Sequence, residues 1–225
     1  MSNCDQCIIR QFNSLKALTK DELIRISGCK TSTKVKKGEL IFKEGEALNG
    51  VYCVRDGICK LAKLSANGKD QIVKLVVKGD LLGQRSIIGE ERTNLSATAL
   101  NDMEVCFIPK NEIIKDLHNN SAFSMDMLQH MAHDLKEADN VIVNMAQKSV
   151  KQRLAETLIY IHSNFGTNKE GMLSVVLSRE DYANIVGTAT ESAIRILSQF
   201  KKEGIISMSG KQIKIEKLGI LKSIE

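Results

Sequence analysis

The sequence predicts an α+β protein with an N-terminal antiparallel β-roll of jelly-roll type, a long central helix and a C-terminal winged helix-turn-helix. Short β-prone runs separated by turn residues occupy residues 34–109. Apolar residues at heptad spacing follow over residues 128–145. Two short helical patterns and a hairpin pattern then occupy residues 178–215. The chain has 225 residues, of which 43% are apolar, so these parts can bury ordered cores.

The N-terminal part predicts one helix and no targeting segment. Residues 14–28 show helical spacing, and Thr19 is the expected N-cap because Glu22 follows three residues later. The opening MSNCDQCIIRQF lacks the basic region and apolar core of a signal peptide. No apolar run approaches the roughly 18 residues that span a bilayer. We therefore expect a cytoplasmic protein without a membrane partner, whose six cysteines are thiols, metal ligands or redox groups.

The β-prone region carries turn signals about every ten residues, which favours an antiparallel sandwich or barrel. Asp56-Gly57, within VRDGIC, predicts a tight hairpin because this dipeptide tolerates positive φ. On that register Cys53 and Cys59 point to opposite faces and are expected to be packing residues. The other turn signals are Gly45, Asn49-Gly50, Asn67-Gly68, Gly79-Asp80 and Gly83.

The long helix carries an apolar stripe whose members are spaced 3-4-3-4-3 over about three heptads. One interpretation is an amphipathic helix that packs on its own roll. The other, which we favour, is a dimer interface. The stripe consists of Leu128, Met131, Leu135, Ala138, Ile142 and Met145.

The last third of the chain alternates helical and extended patterns. Residues 150–164 are amphipathic with helical spacing, and MLSVVL at 172–177 reads as a short strand. IISMSGKQIKI at 205–215 predicts a hairpin that turns at Ser209-Gly210. Gly204 is expected to end the helix that precedes this hairpin.

Two capped helices are predicted between these elements. Ser178 is expected to cap a helix over 179–186, which Gly187 ends. Thr188 is expected to cap the next helix, because Glu191 follows at the spacing of a capping box. Two short helices joined in this way, with a hairpin behind them, are typical of a winged helix-turn-helix.

The second of these helices presents residue types that read DNA bases. Arg195 can donate two hydrogen bonds to guanine, and Glu191 can accept one from a cytosine amino group. Ile194 or Thr190 can contact a thymine methyl. The alternative is structural: Glu191 only caps the helix with Thr188 or pairs with Arg195.

Three further residues are candidate phosphate contacts, which would position the domain without reading sequence: Ser178, Arg179 and Lys211. Residues 149–225 hold 11 Lys and Arg against 8 Asp and Glu, and this positive balance suits a polyanion partner. Ala183 is small where the two helices cross. A miniature core is expected from Tyr182, Val186, Ala193, Ile196, Leu197 and Phe200.

At these residues the sequence resembles the Crp/Fnr family of bacterial transcription regulators. LSREDYANIVGTATESAIRILSQFKKEGIISMSGKQIKI looks like the family's winged helix-turn-helix, with its Glu-x-x-x-Arg at Glu191 and Arg195. VKKGELIFKEGEALNGVYCVRDGICKL and VKGDLLG look like its cyclic-nucleotide-binding-type β-roll. The resemblance implies a homodimer on a palindromic DNA site, with RNA polymerase as a further partner.

The same resemblance divides the chain into four parts. They are a Cys-containing segment at 1–20, a β-roll sensor domain at 21–115, a dimerisation helix at 116–148 and a DNA-binding domain at 149–225. We find no nucleophile elbow, P-loop or dinucleotide fingerprint in the sequence. We therefore expect a regulator and not an enzyme.

The residues expected of a cyclic-nucleotide site are missing. Cyclic-AMP-binding relatives carry a Glu after the Gly of GD-x-x-G, where this chain has Gln84. Their Arg-Ser pair falls near Asn94-Leu95, and neither Arg85-Ser86 nor Arg92 reproduces the pattern. Because a cyclic phosphate needs a fixed cation, we expect no cyclic nucleotide to bind.

The oxygen-sensing branch of the family implies an iron–sulfur cluster held by four cysteines. Cys4 and Cys7, in CDQC, match two N-terminal ligands, and Cys106, in EVCFIP, matches the last. The third N-terminal position falls near Asn13. Cys29 could substitute if the chain folds back. The alternative to a regulator that senses an unidentified signal is thus an iron–sulfur or thiol-based redox sensor.

The dimer stripe also departs from that branch. The oxygen sensor has a carboxylate in the stripe that opposes constitutive pairing, and Ala138 occupies this region here. The resemblance therefore implies a dimer that is stable even without a cofactor.

Overall fold

The computed structural model describes residues 4–66 and 68–224. Residues 1–3, Glu225 and Asn67 of the predicted Asn67-Gly68 turn lie outside the described residues. The chain forms two compact units. The first comprises the residues up to Leu64 together with Lys74–Glu137, and the second comprises Ser65–Val73 together with the residues from Ala138 onward. The four-part division drawn from the sequence stays a prediction.

Helices occur in both units. Three short 3-10 helices come first, at Cys4–Gln6, Ile8–Phe12 and Ser14–Ala17. The α-helices are α1 Lys20–Cys29, α2 Gln84–Ile88, α3 Lys110–Asn119, α4 Ser121–Gln147, α5 Val150–Phe165, α6 Arg179–Val186, α7 Thr190–Lys202 and α8 Leu218–Lys222. Within the described part of the chain, none of these helices is both long enough and apolar enough to cross a membrane.

The strands form two four-stranded sheets in the first part of the chain and one hairpin near the end. The strands are β1 Thr31–Val35, β2 Leu40–Phe42, β3 Gly50–Asp56, β4 Ile58–Leu64, β5 Asp70–Val77, β6 Leu81–Leu82, β7 Ser96–Ala99, β8 Met103–Pro109, β9 Ile206–Ser209 and β10 Gln212–Ile215. The sheet orders are β1-β8-β3-β6 and β2-β7-β4-β5, with β9 paired to β10. The predicted α+β class and antiparallel roll are confirmed.

The turn at Asp56-Gly57 differs from the prediction. It does not close a hairpin, because β3 and β4 lie in different sheets. Gly57 has φ of +92°, and a Cβ there would lie 2.6 Å from Cγ of Met103. The glycine therefore carries the chain from one sheet to the other. The hairpin was wrong because turn chemistry alone does not reveal that β3 pairs with β8 and β4 with β7.

The N-terminal helix is confirmed with a later start. Thr19 and Glu22 form a capping box, and α1 begins at Lys20. Residues before the cap form 3-10 turns instead of a continuous helix. Asn13 starts the last of these turns, because its side-chain Oδ1 accepts from the amide of Leu15 at 3.0 Å. The break itself lies at Leu18 and Thr19, whose backbones are extended.

The helix α6 follows the prediction, and the start of α7 does not. Ser178 and Asp181 form a capping box at the start of α6, and Gly187 ends it with φ of +66°. The N-cap of α7 is Ala189, with no side-chain cap, so the predicted capping box of Thr188 with Glu191 is wrong. The amide of Thr188 donates to the carbonyl of Ala183 at 3.0 Å, which commits Thr188 to the end of α6.

The predicted C-terminal hairpin is confirmed, while the prediction of a short strand at MLSVVL is wrong. Gly210 turns the hairpin with φ of +58°, and β9 pairs antiparallel with β10. In place of a strand, two isolated bridges join Thr167 to Leu173 and Met172 to Lys214. Leu173, like Val175 and Leu177, is buried, so the apolar pattern reflects burial in the core rather than sheet pairing.

Candidate functional site

The helix-turn-helix is held by the small core that the sequence predicts. Three residues, Gly187–Ala189, separate α6 from α7, and Ala183 is fully buried. All six expected core residues are buried, with Tyr182 and Phe200 among the largest: Tyr182, Val186, Ala193, Ile196, Leu197 and Phe200. Burial also raises the pKa of the Tyr182 hydroxyl. This packing fixes which face of α7 is left for solvent.

The outer face of α7 exposes the predicted base-reading side chains. Glu191 and Arg195 are exposed, Ile194 is 43% exposed, and Thr190 is half-buried at the first turn. Neither Glu191 nor Arg195 makes a side-chain hydrogen bond or ion pair with any residue that the structure describes. The intrahelical pair that was the structural alternative for these charges is therefore absent from the described residues.

The three candidate phosphate contacts lie in different surroundings. The Ser178 hydroxyl accepts from the Asp181 amide at 2.9 Å and donates to its carboxylate at 2.7 Å. The Arg179 guanidinium donates to the carbonyl of Gly210 at 3.0 Å, which ties α6 to the tip of the hairpin. Lys211, beside that tip, is exposed.

The stripe on α4 is largely solvent-exposed in a single chain. Leu128 is 58% exposed, and Leu135 and Ile142 are each 65% exposed. Ala138 is exposed as well, while Met131 and Met145 are half-buried. The face of α4 that packs inward instead uses Phe123 and Met127, which are buried. An apolar row of this length on a single chain is typical of an interaction surface.

The first unit contains a small cavity of about 20 Å³. Its wall includes four of the six thiols, Cys4, Cys7, Cys53 and Cys106. The three cysteines expected from the sequence are thus brought together, and Cys53 joins them. The remaining wall consists of Arg10, Leu15, Leu23, Ile26, Lys30, Arg55 and Ile108.

Two of these thiols are positioned by the sheet. Cys53 on β3 lies directly opposite Cys106 on β8. Asn13 Nδ2 donates to Cys53 Sγ at 3.4 Å and to the carbonyl of Gly79 at 2.7 Å. Burial raises the pKa of the Cys53 thiol to about 12, and the nearby Cys106 adds to the rise. Ser32 Oγ lies 3.4 Å from Cys106 Sγ.

The other cysteines lie apart from this cavity. Cys29 does not line it, and its thiol donates to the carbonyl of Ile26 at 3.4 Å. Cys59 is buried in a separate hydrophobic cluster from Cys53. The prediction placed the two on opposite faces of one hairpin, and that hairpin does not form. Among residues 4–66 and 68–224, no three His, Cys, Asp or Glu side chains are placed to hold a single metal ion.

The segment that would hold a cyclic phosphate forms the short helix α2. Gly83 precedes it with φ of +87°, where a Cβ would lie 2.7 Å from Cδ1 of Leu48. Arg85 is exposed. Arg92 is exposed as well and donates to the carbonyl of Gly45 at 2.9 Å.

Comparison with known proteins supports both the β-roll and the helix-turn-helix. The model of the cyclic nucleotide-binding domain matches residues 32–120, and that of the Crp-like helix-turn-helix domain matches residues 152–224. The structure of FixK2 from Bradyrhizobium japonicum superposes with a TM-score of 0.77 at 25% identity, covering 87% of this chain and 97% of that one.

Two relatives are similar along most of their length. The anaerobic regulatory protein of Bacillus subtilis is 31% identical over 188 residues, which are 81% of this chain and 79% of that protein. The fumarate and nitrate reduction regulatory protein of Vibrio cholerae is 29% identical over 217 residues, which are 95% of this chain and 86% of that protein. The β-roll, the exposed face of α7 and these matches agree: the chain belongs to the Crp/Fnr family of DNA-binding transcription regulators.

Proposed function

We propose that this protein is a cytoplasmic homodimer that binds a palindromic DNA site and there regulates transcription together with RNA polymerase, without catalysing a reaction. The observation that carries the proposal is the exposed face of α7. Its first turns offer Glu191 and Arg195 to solvent without a described side-chain partner. A recognition helix presents these turns to base edges in the major groove. The four-part domain division belongs to the same proposal.

Each contact has a separate role in this proposal. Arg195 donates to guanine, Glu191 accepts from cytosine, and Ile194 or Thr190 meets a thymine methyl. Arg179 and Lys211 position the domain on phosphates. Ser178, the third sequence candidate, keeps its capping role, because its hydroxyl proton is donated to the Asp181 carboxylate. A carboxylate near DNA is repelled by phosphates, so Glu191 is useful only where it meets a base donor.

The dimer is proposed from the α4 stripe. Burying Leu128, Leu135 and Ile142 against a second copy removes large exposed side chains from water at roughly 25 cal/mol per Å². Met131, Ala138 and Met145 complete the heptad pattern. Ala138 adds no charge that would oppose the pairing.

Selection of binding sites from a randomised duplex library tests the function. We expect a palindrome whose half-sites lie about one helical turn, roughly 34 Å, apart. Native mass spectrometry of the selected complex should give two chains per duplex. A single asymmetric half-site bound by one chain would contradict the proposal.

A second candidate function concerns the signal. Cys4, Cys7 and Cys106 line one cavity, which favours an iron–sulfur or thiol-based redox sensor whose output is DNA binding. When bound, an iron–sulfur cluster supplies one-electron redox chemistry. A cyclic nucleotide is not proposed, since Arg92 is already bonded to a backbone carbonyl and Arg85 is exposed.

Anaerobic purification tests this second function. We expect stoichiometric iron and acid-labile sulfide in the anaerobic protein, and loss of both with a change in DNA affinity after exposure to air. A colourless, iron-free protein that binds its selected site equally well with and without oxygen would rule out the redox sensor and leave the regulator intact.

A further inference from the structure

We infer that Cys53 is the fourth thiol ligand of a site completed by Cys4, Cys7 and Cys106, and that this site holds an iron–sulfur cluster. The inference rests on the proposed redox-sensor function, and it adds a ligand from the middle of a β-strand. Four thiolates are the usual ligand set for such clusters. All four of these thiols line the same cavity.

The strand geometry is the first argument. Directly opposite residues of an antiparallel pair place their Cβ atoms about 4.5–5.5 Å apart on one face of the sheet. Cys53 and Cys106 are such a pair, and both belong to the hydrophobic cluster that also contains Cys4. Two thiols are therefore presented side by side from the rigid part of the unit.

The N-terminal segment supplies the other two thiols from an adjustable part of the chain. Cys4 and Cys7 lie at the first two of the short 3-10 helices, whose hydrogen-bond geometry is weaker than that of α-helices. A cavity of about 20 Å³ has room for about one water. Admission of a cluster therefore requires this segment to shift outward while the two strand thiols stay in place.

A single metal ion has no preformed site here, because no three His, Cys, Asp or Glu side chains of the described residues are placed to hold one. In an iron–sulfur cluster different thiolates bind different iron atoms, so the four thiols around the cavity need not converge on one point.

Anaerobic reconstitution of the full chain with ferrous iron and sulfide tests the assignment, with bound iron, acid-labile sulfide and charge-transfer absorption as readouts. We expect Cys53→Ser to lose most of the iron that the wild-type chain binds, because a hydroxyl replaces one of the four thiolates. Cys59→Ser is the matched control, because Cys59 is equally buried but lies in the other hydrophobic cluster. Cys29→Ser tests the only other thiol outside the cavity.

The outcomes separate this inference from the function on which it rests. Wild-type loading with loss in Cys53→Ser and retention in Cys59→Ser and Cys29→Ser supports it. Full loading of Cys53→Ser overturns it and leaves the redox sensor standing. Failure of the wild-type chain to load overturns both. If Cys53→Ser does not fold by circular dichroism, Cys53→Ala, which buries no hydroxyl, carries the same comparison.

Discussion

A chain carrying Leu135→Glu is expected to be monomeric and to lose most of its affinity for a palindromic site. Leu135 is 65% exposed in the single chain and lies in the middle of the α4 stripe. In a twofold-symmetric dimer the same residue is contributed by both copies, so one substitution buries two unpaired carboxylates. Such burial costs about 3 kcal/mol or more, which corresponds to at least roughly a 100-fold weaker dimer.

Light scattering and sedimentation at micromolar concentration measure this effect. Gln129→Glu is the matched control, because Gln129 is exposed on the same helix but lies off the stripe. It should leave the protein dimeric with unchanged DNA affinity. If Leu135→Glu remains dimeric, the two copies pair through another surface and the interpretation of the stripe is wrong.

Arg195→Ala is expected to weaken binding to the selected site by about 1–3 kcal/mol and to relax the preference at one base pair. The physical reason is the loss of two hydrogen bonds to guanine. The stability of the chain should be unchanged, because Arg195 is exposed and its side chain bonds to no described residue. Titration of all four base pairs at the affected position, with thermal melts of the protein, checks both statements.

Lys202→Ala supplies the comparison for this experiment. Lys202 is exposed in the last turn of the same helix, far from the turns that face base edges. Its replacement should alter affinity by a similar small factor for every sequence. A loss in Arg195→Ala that is equally uniform across sequences would show that Arg195 contacts only phosphate.

Local patterns predicted much of the fold. Thr19, Ser178, Gly187 and Gly210 act where the sequence places them, because caps and turns depend on a few neighbouring residues. The predicted capping box of Thr188 with Glu191 does not form, although the two residues have the right spacing. The Thr188 amide instead donates to the carbonyl of Ala183 at the end of α6.

Of the two candidate sites, the sequence predicted the DNA-binding face but not the complete set of cavity thiols. The face of α7 follows from helical periodicity, so Glu191 and Arg195 could be singled out from the chain alone. Cys53 could not, because its role depends on which strand lies beside β3. The predicted hairpin paired β3 with β4, and on that register both Cys53 and Cys59 were expected to be packing residues.

The sequence by itself determined the helices, their caps, the apolar stripe and the family, because each depends on residues close together in the chain or on a pattern along it. Only the tertiary structure decided that β3 lies beside β8, and that the N-terminal turns cover this pair. Those contacts join residues about 50–100 positions apart, and the closure of such long loops is governed by the packing of the whole sheet rather than by any local signal.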